Sequence, residues 1–332
     1  MNQTETKFFK KPRLTKGVGS ALVAFAGWAV LYVVFGLISP VIFSAGNGLN
    51  LLRSMSKYLI IGVGQGFLLI SGNIDLSTGS LVAVSTMISA TLMTKGVDPV
   101  IACLVALAAC LLLGLINGVL VGVCKIQPFI ATLGTMFIGR GVAYLVNGNH
   151  NTDAIQSGIG KAAGEQFQSV FYYGKTLGIY NSFWIALILF AVLFFVMQKT
   201  RVGRHLYAVG SNPDAAKFSG IHVPGTTIFA YMISAFCAFV VGLILCAQSG
   251  MGSMEAGLSY EMYSVAANVI GGVSPLGGSG LLLGTLAGAG VWQTLENGLG
   301  VIGVQVGFQR ITVGVIVVIA LLVDVLLHKK KG

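Results

Sequence analysis

Thr200-Arg201-Val202-Gly203-Arg204-His205-Leu206-Tyr207-Ala208-Val209-Gly210-Ser211-Asn212-Pro213-Asp214-Ala215-Ala216-Lys217-Phe218-Ser219-Gly220-Ile221 is a polar island set between two long apolar runs, 183–197 and 226–247. A chain that merely turns between two membrane spans needs only a few residues. This stretch carries charges, glycines and a helix signal, and it reads as a surface built to be touched by a partner. Asn212 and Pro213 can open a short helix, with Asn as N-cap and Pro at the first helical position. Asp214 falls in the first turn, where the helix dipole favours an acid, and Gly220 can end the helix. Ala215, Ala216 and Phe218 would then form a compact knob. A plain solvated loop is the competing reading.

The surroundings of the island fix the fold class. Of 332 residues, 55% are hydrophobic and 9% charged, whereas a soluble domain is about 25% charged. The 46 glycines suit helices that approach closely in lipid. The chain therefore reads as an all-α polytopic membrane protein. A net charge of +10 would suggest nucleic acid in a soluble protein. Here the cations flank apolar runs, so they read as topology determinants, with the lipid bilayer as partner and no nucleic acid. Cys103, Cys110, Cys124, Cys237 and Cys246 show neither CxxC nor zinc spacing and read as buried packing residues without a metal.

A span needs roughly 20 apolar residues. About ten are expected, near 18–43, 53–71, 78–94, 98–123, 128–147, 180–198, 225–248, 261–273, 279–300 and 308–328, the eighth being the shortest. The first run follows Lys7, Lys10, Lys11, Arg13 and Lys16 and is too long for a signal-peptide core, so it reads as a retained span. An even count puts both termini on one side. The Lys-rich start and the closing His328-Lys329-Lys330-Lys331 make that side cytoplasmic, and most cations then lie inside, the island's among them. The expected organisation is a single domain over 1–332, with a cytoplasmic tail at 1–17, an external loop at 147–180 that can form a cap, and a cytoplasmic loop at 199–224.

Gly114, Gly118 and Gly122 recur every four residues, as do Gly62 and Gly66, and Gly284 and Gly288. Such rows bring helix backbones together, within the chain or across a dimer seam. Two apolar stretches are interrupted, at 71–80 and at 271–280. Irregular backbone at membrane depth is tolerated where protein or a water-filled cavity satisfies it, and paired interruptions in a transporter point to its path. Asn73, Asp75, Ser77, Asn117, Thr132, Gly271 and Gly272 are the path or gating candidates. For Asp75 three roles stand open: capping the helix that starts near Ser77 from a turn at the cytoplasmic end, moving substrate or protons, or meeting a cytoplasmic partner. Asn117 and Thr132 can equally hold helices together. Arg140 and Glu296 lie within apolar runs, and an ion pair of Arg140 with an acid is one option.

Signals for chemistry are poor. There is no Walker A motif, no HExxH and no GxSxG, and His150, His205, His222 and His328 do not cluster along the chain. The chain reads as a non-enzyme with no catalytic residue.

Gly-Asn-Ile-Asp-Leu-Ser-Thr-Gly-Ser at 72–80 resembles the GGIDLSVGS signature of sugar ABC-transporter permeases of the ribose/galactose/xylose type. Pro128–Met136 followed by Arg140-Gly141 and Asn147-Gly148, the island's Thr200–Arg204 through Ser219-Gly220-Ile221, and Val269–Gly272 with Leu276–Gly280 are similar to further stretches of that family, in its order, from about residue 50 to 325. Asn73, Thr78 and Ser211 depart from the pattern, and Asn73 and Ser211 remove backbone freedom that glycine would give. The resemblance implies the permease of a binding-protein-dependent importer in the bacterial inner membrane. Two permease copies, identical or related, form the pathway; ATP-binding cassettes beneath use ATP and Mg; and an extracytoplasmic sugar-binding protein delivers a monosaccharide. This chain itself binds no cofactor. The resemblance also makes the island the coupling element, with Arg201, Gly203, Arg204, Tyr207, Gly210, Asn212, Ala215, Ala216 and Gly220 as coupling residues. Gly203→Asp or Ala216→Arg is then expected to uncouple uptake and leave insertion intact. Related permeases that carry nucleosides or branched-chain amino acids are the alternative, and a self-contained secondary transporter is a poorer one, because such a machine would need several membrane-embedded acids.

Overall fold

The computed structural model describes residues 14–309, 311–312 and 314–315, and these are overwhelmingly helical. Helix α1 (Leu14–Ile38) ends before a 3₁₀ turn, Pro40–Phe43, and is followed by α2 (Ala45–Ile70), α3 (Thr78–Thr94), α4 (Pro99–Gly122) and α5 (Pro128–Leu145). A polar segment then forms α6 (Gln156–Ile159), α7 (Lys161–Gln168), a π turn (Ser169–Tyr173) and a hairpin of β1 (Lys175–Thr176) and β2 (Ile179–Tyr180). Next come α8 (Asn181–Lys199), α9 (Arg201–Ser211), α10 (Pro213–Phe218), α11 (Val223–Ser249), α12 (Tyr260–Ile270) and α13 (Leu282–Val301). Proline places many of these starts. Pro40, Pro99, Pro128, Pro213 and Pro224 all stand at the first or second position of a helix, where the missing N–H costs nothing and the fixed φ favours helix entry.

Five helices among the described residues are long and apolar enough to cross a membrane: α1 from Gly17 onward, α4, α5, α8 and α11. That is fewer than the ten expected from apolar runs. α3 is apolar but has 17 residues. The expected eighth span proves to be α12, with only 11 residues, about 16 Å of helix against a hydrocarbon core of about 30 Å. The expected tenth span, 308–328, lies mostly outside the described residues, as does most of the 1–17 tail.

Burial separates centre from rim. In α11 67% of the apolar window is buried, against 22% in both α1 and α4, so α11 is the central post and the other two present side chains such as Leu22, Val23 and Leu104 outward. The glycine rows face neighbours in the same chain. A Cβ at Gly114 or Gly118 would strike Ala235 or Ile228 of α11, and one at Gly284 or Gly288 would strike the backbone of Gly271 or Ala267. Of the two readings of these rows, intrachain packing is therefore the one observed. All five cysteines are free, and Cys110, Cys237 and Cys246 are buried. Cys124 departs from the expectation. It is exposed, because it lies just past the end of α4, where the chain leaves the bundle.

The two long polar segments lie at opposite ends of α2. Near its start, Arg53 stacks over Tyr172 at 4.8 Å and Tyr180 at 4.3 Å. At its end, Ile70 meets the second interruption and α9. With 26 residues, α2 separates the segments by about 39 Å.

Candidate functional site

The first interruption, 71–77, is a buried polar knot and not the solvated turn that its composition allows. Asp75 is fully buried. Its Oδ1 accepts from the Ser77 backbone N–H at 2.8 Å and from Ser77 Oγ at 2.6 Å, and its Oδ2 accepts from Ser234 Oγ of α11 at 3.0 Å. Ser77 Oγ accepts from Asn117 Nδ2 of α4 at 2.8 Å, and Asn117 Oδ1 accepts from Thr135 Oγ1 of α5 at 2.6 Å. Thr132 Oγ1 takes the Leu76 N–H at 3.1 Å, and Tyr231 donates its hydroxyl to Ile74 O at 2.9 Å. A helix broken inside a bundle leaves N–H and C=O groups that must find partners. Here α4, α5 and α11 supply them. The N-cap of α3 is Ser77, with no side-chain cap bond, so Asp75 does not itself cap the helix. It holds the capping residue from within the protein, and its burial removes direct contact with a cytoplasmic partner. Asn117 and Thr132 act as the glue between helices that sequence allowed. Asn73 is half-buried and turns back on its own loop, donating to Ser71 O at 3.2 Å and Ser71 Oγ at 3.0 Å.

The second interruption, 271–281, follows the short α12. Gly271 abuts the backbone of Gly284, and Gly272, at φ +79°, packs on Ser20. One turn earlier, Asn268 donates to Gly62 O at 2.7 Å and accepts from Thr285 Oγ1 at 2.8 Å. That clasp of α2, α12 and α13 escaped sequence reading, since a single asparagine in an apolar run names no partner. Arg140, a candidate for an ion pair, instead donates to the carbonyls of Met254 and Ala256 at 2.8 and 3.0 Å. Glu296 Oε2 accepts from the Tyr58 hydroxyl at 2.8 Å.

The island folds as two helices. In α10, Asn212 Oδ1 accepts from the Ala215 N–H at 2.9 Å, Asp214 sits in the first turn, and Gly220 adopts φ +81°. The short helix thus forms where expected. α9 precedes it and is amphipathic, with Gly203, Leu206 and Val209 buried and Arg201 and Arg204 exposed. Its signal was the three-residue spacing of those buried positions.

Burial corrects the roles given to several island residues. A Cβ at Gly203 would run into the Met197 carbonyl, and Ala216 is 4% exposed, packed with Val209 and Val223. Gly203→Asp and Ala216→Arg would therefore damage packing and cannot report on docking alone. Arg201, Arg204, Asn212, Ala215 and Gly220 do face outward, and Phe218 is 91% exposed.

α9 also joins the two interruptions. Gly278 N–H donates to Ile70 O at 2.9 Å, and Tyr207 donates its hydroxyl to Gly280 O at 2.7 Å. A Cβ at Gly210 would collide with Ile70 O and lie 2.7 Å from Gly278 N, and one at Gly277 would lie 2.6 Å from Gly210 O and 2.9 Å from Gly72 Cα. Three segments far apart in sequence thus meet backbone to backbone, at a spacing only glycine permits.

Sequence reading also passed over Gln65. It is fully buried in α2, and neither its amide oxygen nor its nitrogen has a hydrogen-bond partner among the described residues. A buried amide left unpaired costs about 1–3 kcal/mol, whereas an apolar side chain of similar size avoids that cost. Gln65→Leu is therefore expected to raise the melting temperature of the purified protein, as read by thermal unfolding in detergent. An unchanged or lowered melting point would show that the amide is paired in solution.

The family model described as branched-chain amino acid transport system / permease component matches residues 47–322. The ribose import permease protein of Haemophilus influenzae is 35% identical over 93% of this chain and 94% of its own length. The ribose import permease protein of Bacillus subtilis is 36% identical over 93% and 94%, and the D-allose transport system permease protein of Escherichia coli 33% over 91% and 90%. No solved structure matches the chain. With most of its length inside the family model, and with relatives above 30% identity that it spans almost end to end, the chain belongs to this family of ABC-transporter permease components and is a multi-pass membrane protein.

Proposed function

We propose that the chain is the membrane-spanning subunit of an ATP-driven importer for a monosaccharide of the ribose or allose kind. The names of the relatives support the cargo. The meeting of α9 with both interrupted segments carries the mechanism. In this reading a separate ATP-binding cassette docks on the island, within the 199–224 loop, and it alone uses ATP and Mg; this chain binds no cofactor. Arg201, Asn212, Ala215 and Gly220 lie at the docking face, while Arg204 borders the cavity beside the second interruption. Gly203, Tyr207, Gly210 and Ala216 hold the face in place. When the cassettes close, α9 shifts, and its backbone contacts with Ile70, Gly72 and Gly277–Gly278 carry the shift into both interruptions together. Asn73, Asp75, Ser77, Asn117, Thr132, Gly271 and Gly272 belong to the elements that then move about the path.

The remaining assignments share this frame. Residues 1–332 form one permease domain of about ten spans in the bacterial inner membrane, with both termini cytoplasmic. The 147–180 segment faces outward, where an extracytoplasmic binding protein delivers the solute, and a second permease copy completes the pathway. The family description favours one competing cargo, branched-chain amino acids.

The test is reconstitution. The full chain is co-expressed with an ATP-binding cassette and a sugar-binding protein from its own genome and placed in proteoliposomes with internal ATP. Labelled ribose or allose is expected to accumulate, and leucine is not. Accumulation of leucine alone would transfer the assignment to the amino-acid reading, and failure of any cassette to co-purify would remove the importer reading.

A further inference from the structure

Beside the junction of α9 with the second interruption lies a cavity of about 320 Å³, lined among others by Gly17, Gln198, Arg204, Tyr207, Ser279 and Gly280. Its position is informative. Gly17 begins the membrane-crossing part of α1, and Gln198 stands in the last turn of α8 before the chain turns into α9. Both spans are peripheral, with 22% and 28% of their most apolar stretches buried, and outward apolar faces of this kind meet lipid in a multi-pass membrane protein. The cavity lies at the ends of both spans, the level at which hydrocarbon would give way to headgroups.

The lining has the chemistry of an anion site with an apolar floor. None of its residues is acidic, and Arg204 supplies a cation. Gln198, Tyr207 and Ser279 add polar atoms, while Met197 and Leu281 provide apolar surface. Lys199 and Arg201 are exposed close by in the chain. A guanidinium offers paired donors that match a phosphate ester, and basic pockets between spans suit acidic headgroups. Cavities of about 300 Å³ are large enough for a small ligand.

We infer that this cavity binds the headgroup of an acidic phospholipid, with Arg204 on its phosphodiester and the glycerol carbons against Met197 and Leu281. The lipid would tie α9 to the membrane at the point where that helix meets the second interruption.

Native mass spectrometry of the purified full-length chain, titrated in detergent with phosphatidylglycerol, phosphatidylcholine or inorganic phosphate, tests this directly. One phosphatidylglycerol is expected to bind about tenfold more tightly than phosphatidylcholine, and millimolar inorganic phosphate is expected not to displace it. Arg204→Gln, at an exposed position, should weaken binding about tenfold, the size of one charge-assisted contact. Ser279→Phe, which fills the cavity, should abolish retention of that lipid. Equal binding by wild type and both variants, equal affinity for phosphatidylcholine, or displacement by inorganic phosphate would each overturn the assignment. Because the readout needs neither cassette nor solute, its failure would leave the transport reading standing.

Discussion

Phe218→Asp is expected to reduce solute uptake by roughly a hundredfold in the reconstituted importer, with membrane insertion and melting temperature unchanged. Phe218 is 91% exposed at the end of α10, a place where an aromatic ring in water gains nothing for the isolated chain. Burying such a ring in a partner groove is worth about 1.5–3 kcal/mol. Aspartate forfeits that contribution and forces a charge into a dry site, and aromatic anchors of this kind dominate the energetics of small interfaces. Two decades in binding or coupling correspond to about 2.8 kcal/mol. Phe218→Tyr, which keeps the ring, should retain most activity. Uptake, ATP hydrolysis and cassette co-purification are measured together. Normal uptake by the aspartate variant would eliminate α10 as the docking knob, and loss of folded protein would show that the ring is an internal anchor.

Asp75→Ala is expected to be among the most destabilising single changes in the chain. The substitution leaves the Ser77 N–H, the Ser77 hydroxyl and the Ser234 hydroxyl without their acceptor. Each buried donor left unpaired costs about 1–3 kcal/mol, and the knot then loses its hold on α11 as well. Asp75→Asn keeps one acceptor oxygen and should fall between wild type and alanine. Thermal unfolding and monodispersity in detergent report the order wild type, Asn, Ala. An alanine variant that melts with wild type would show that the knot does not stabilise the break. Uptake should fall with stability in this series, in contrast to Phe218→Asp, where only uptake falls.

The legible features were local ones. The start of α10 could be read because Asn212 caps a backbone N–H only three residues away, and proline entries work in the same short range. The glycine rows announced close packing because their spacing repeats each turn. The count of spans was less legible, since a run of apolar residues does not distinguish a helix of full spanning length from one such as α12, with 11 residues. Gly203 and Ala216 looked like surface positions because charged residues, Arg201 and Arg204 or Asp214 and Lys217, stand within two residues of each.

By itself, then, the sequence determined that the chain is a helical membrane protein, where most helices begin, and which polar segment stands apart between spans. Composition and short-range capping decide those matters. Only the tertiary structure decided that Asp75 is buried, since its acceptor oxygen pairs with Ser234, 159 residues away, and that Leu76 is held by Thr132, 56 residues away. It alone brought Gly72, Gly210 and Gly277 into backbone contact. A buried polar group is satisfied by whatever partner the fold delivers, and that partner has no fixed spacing in the chain.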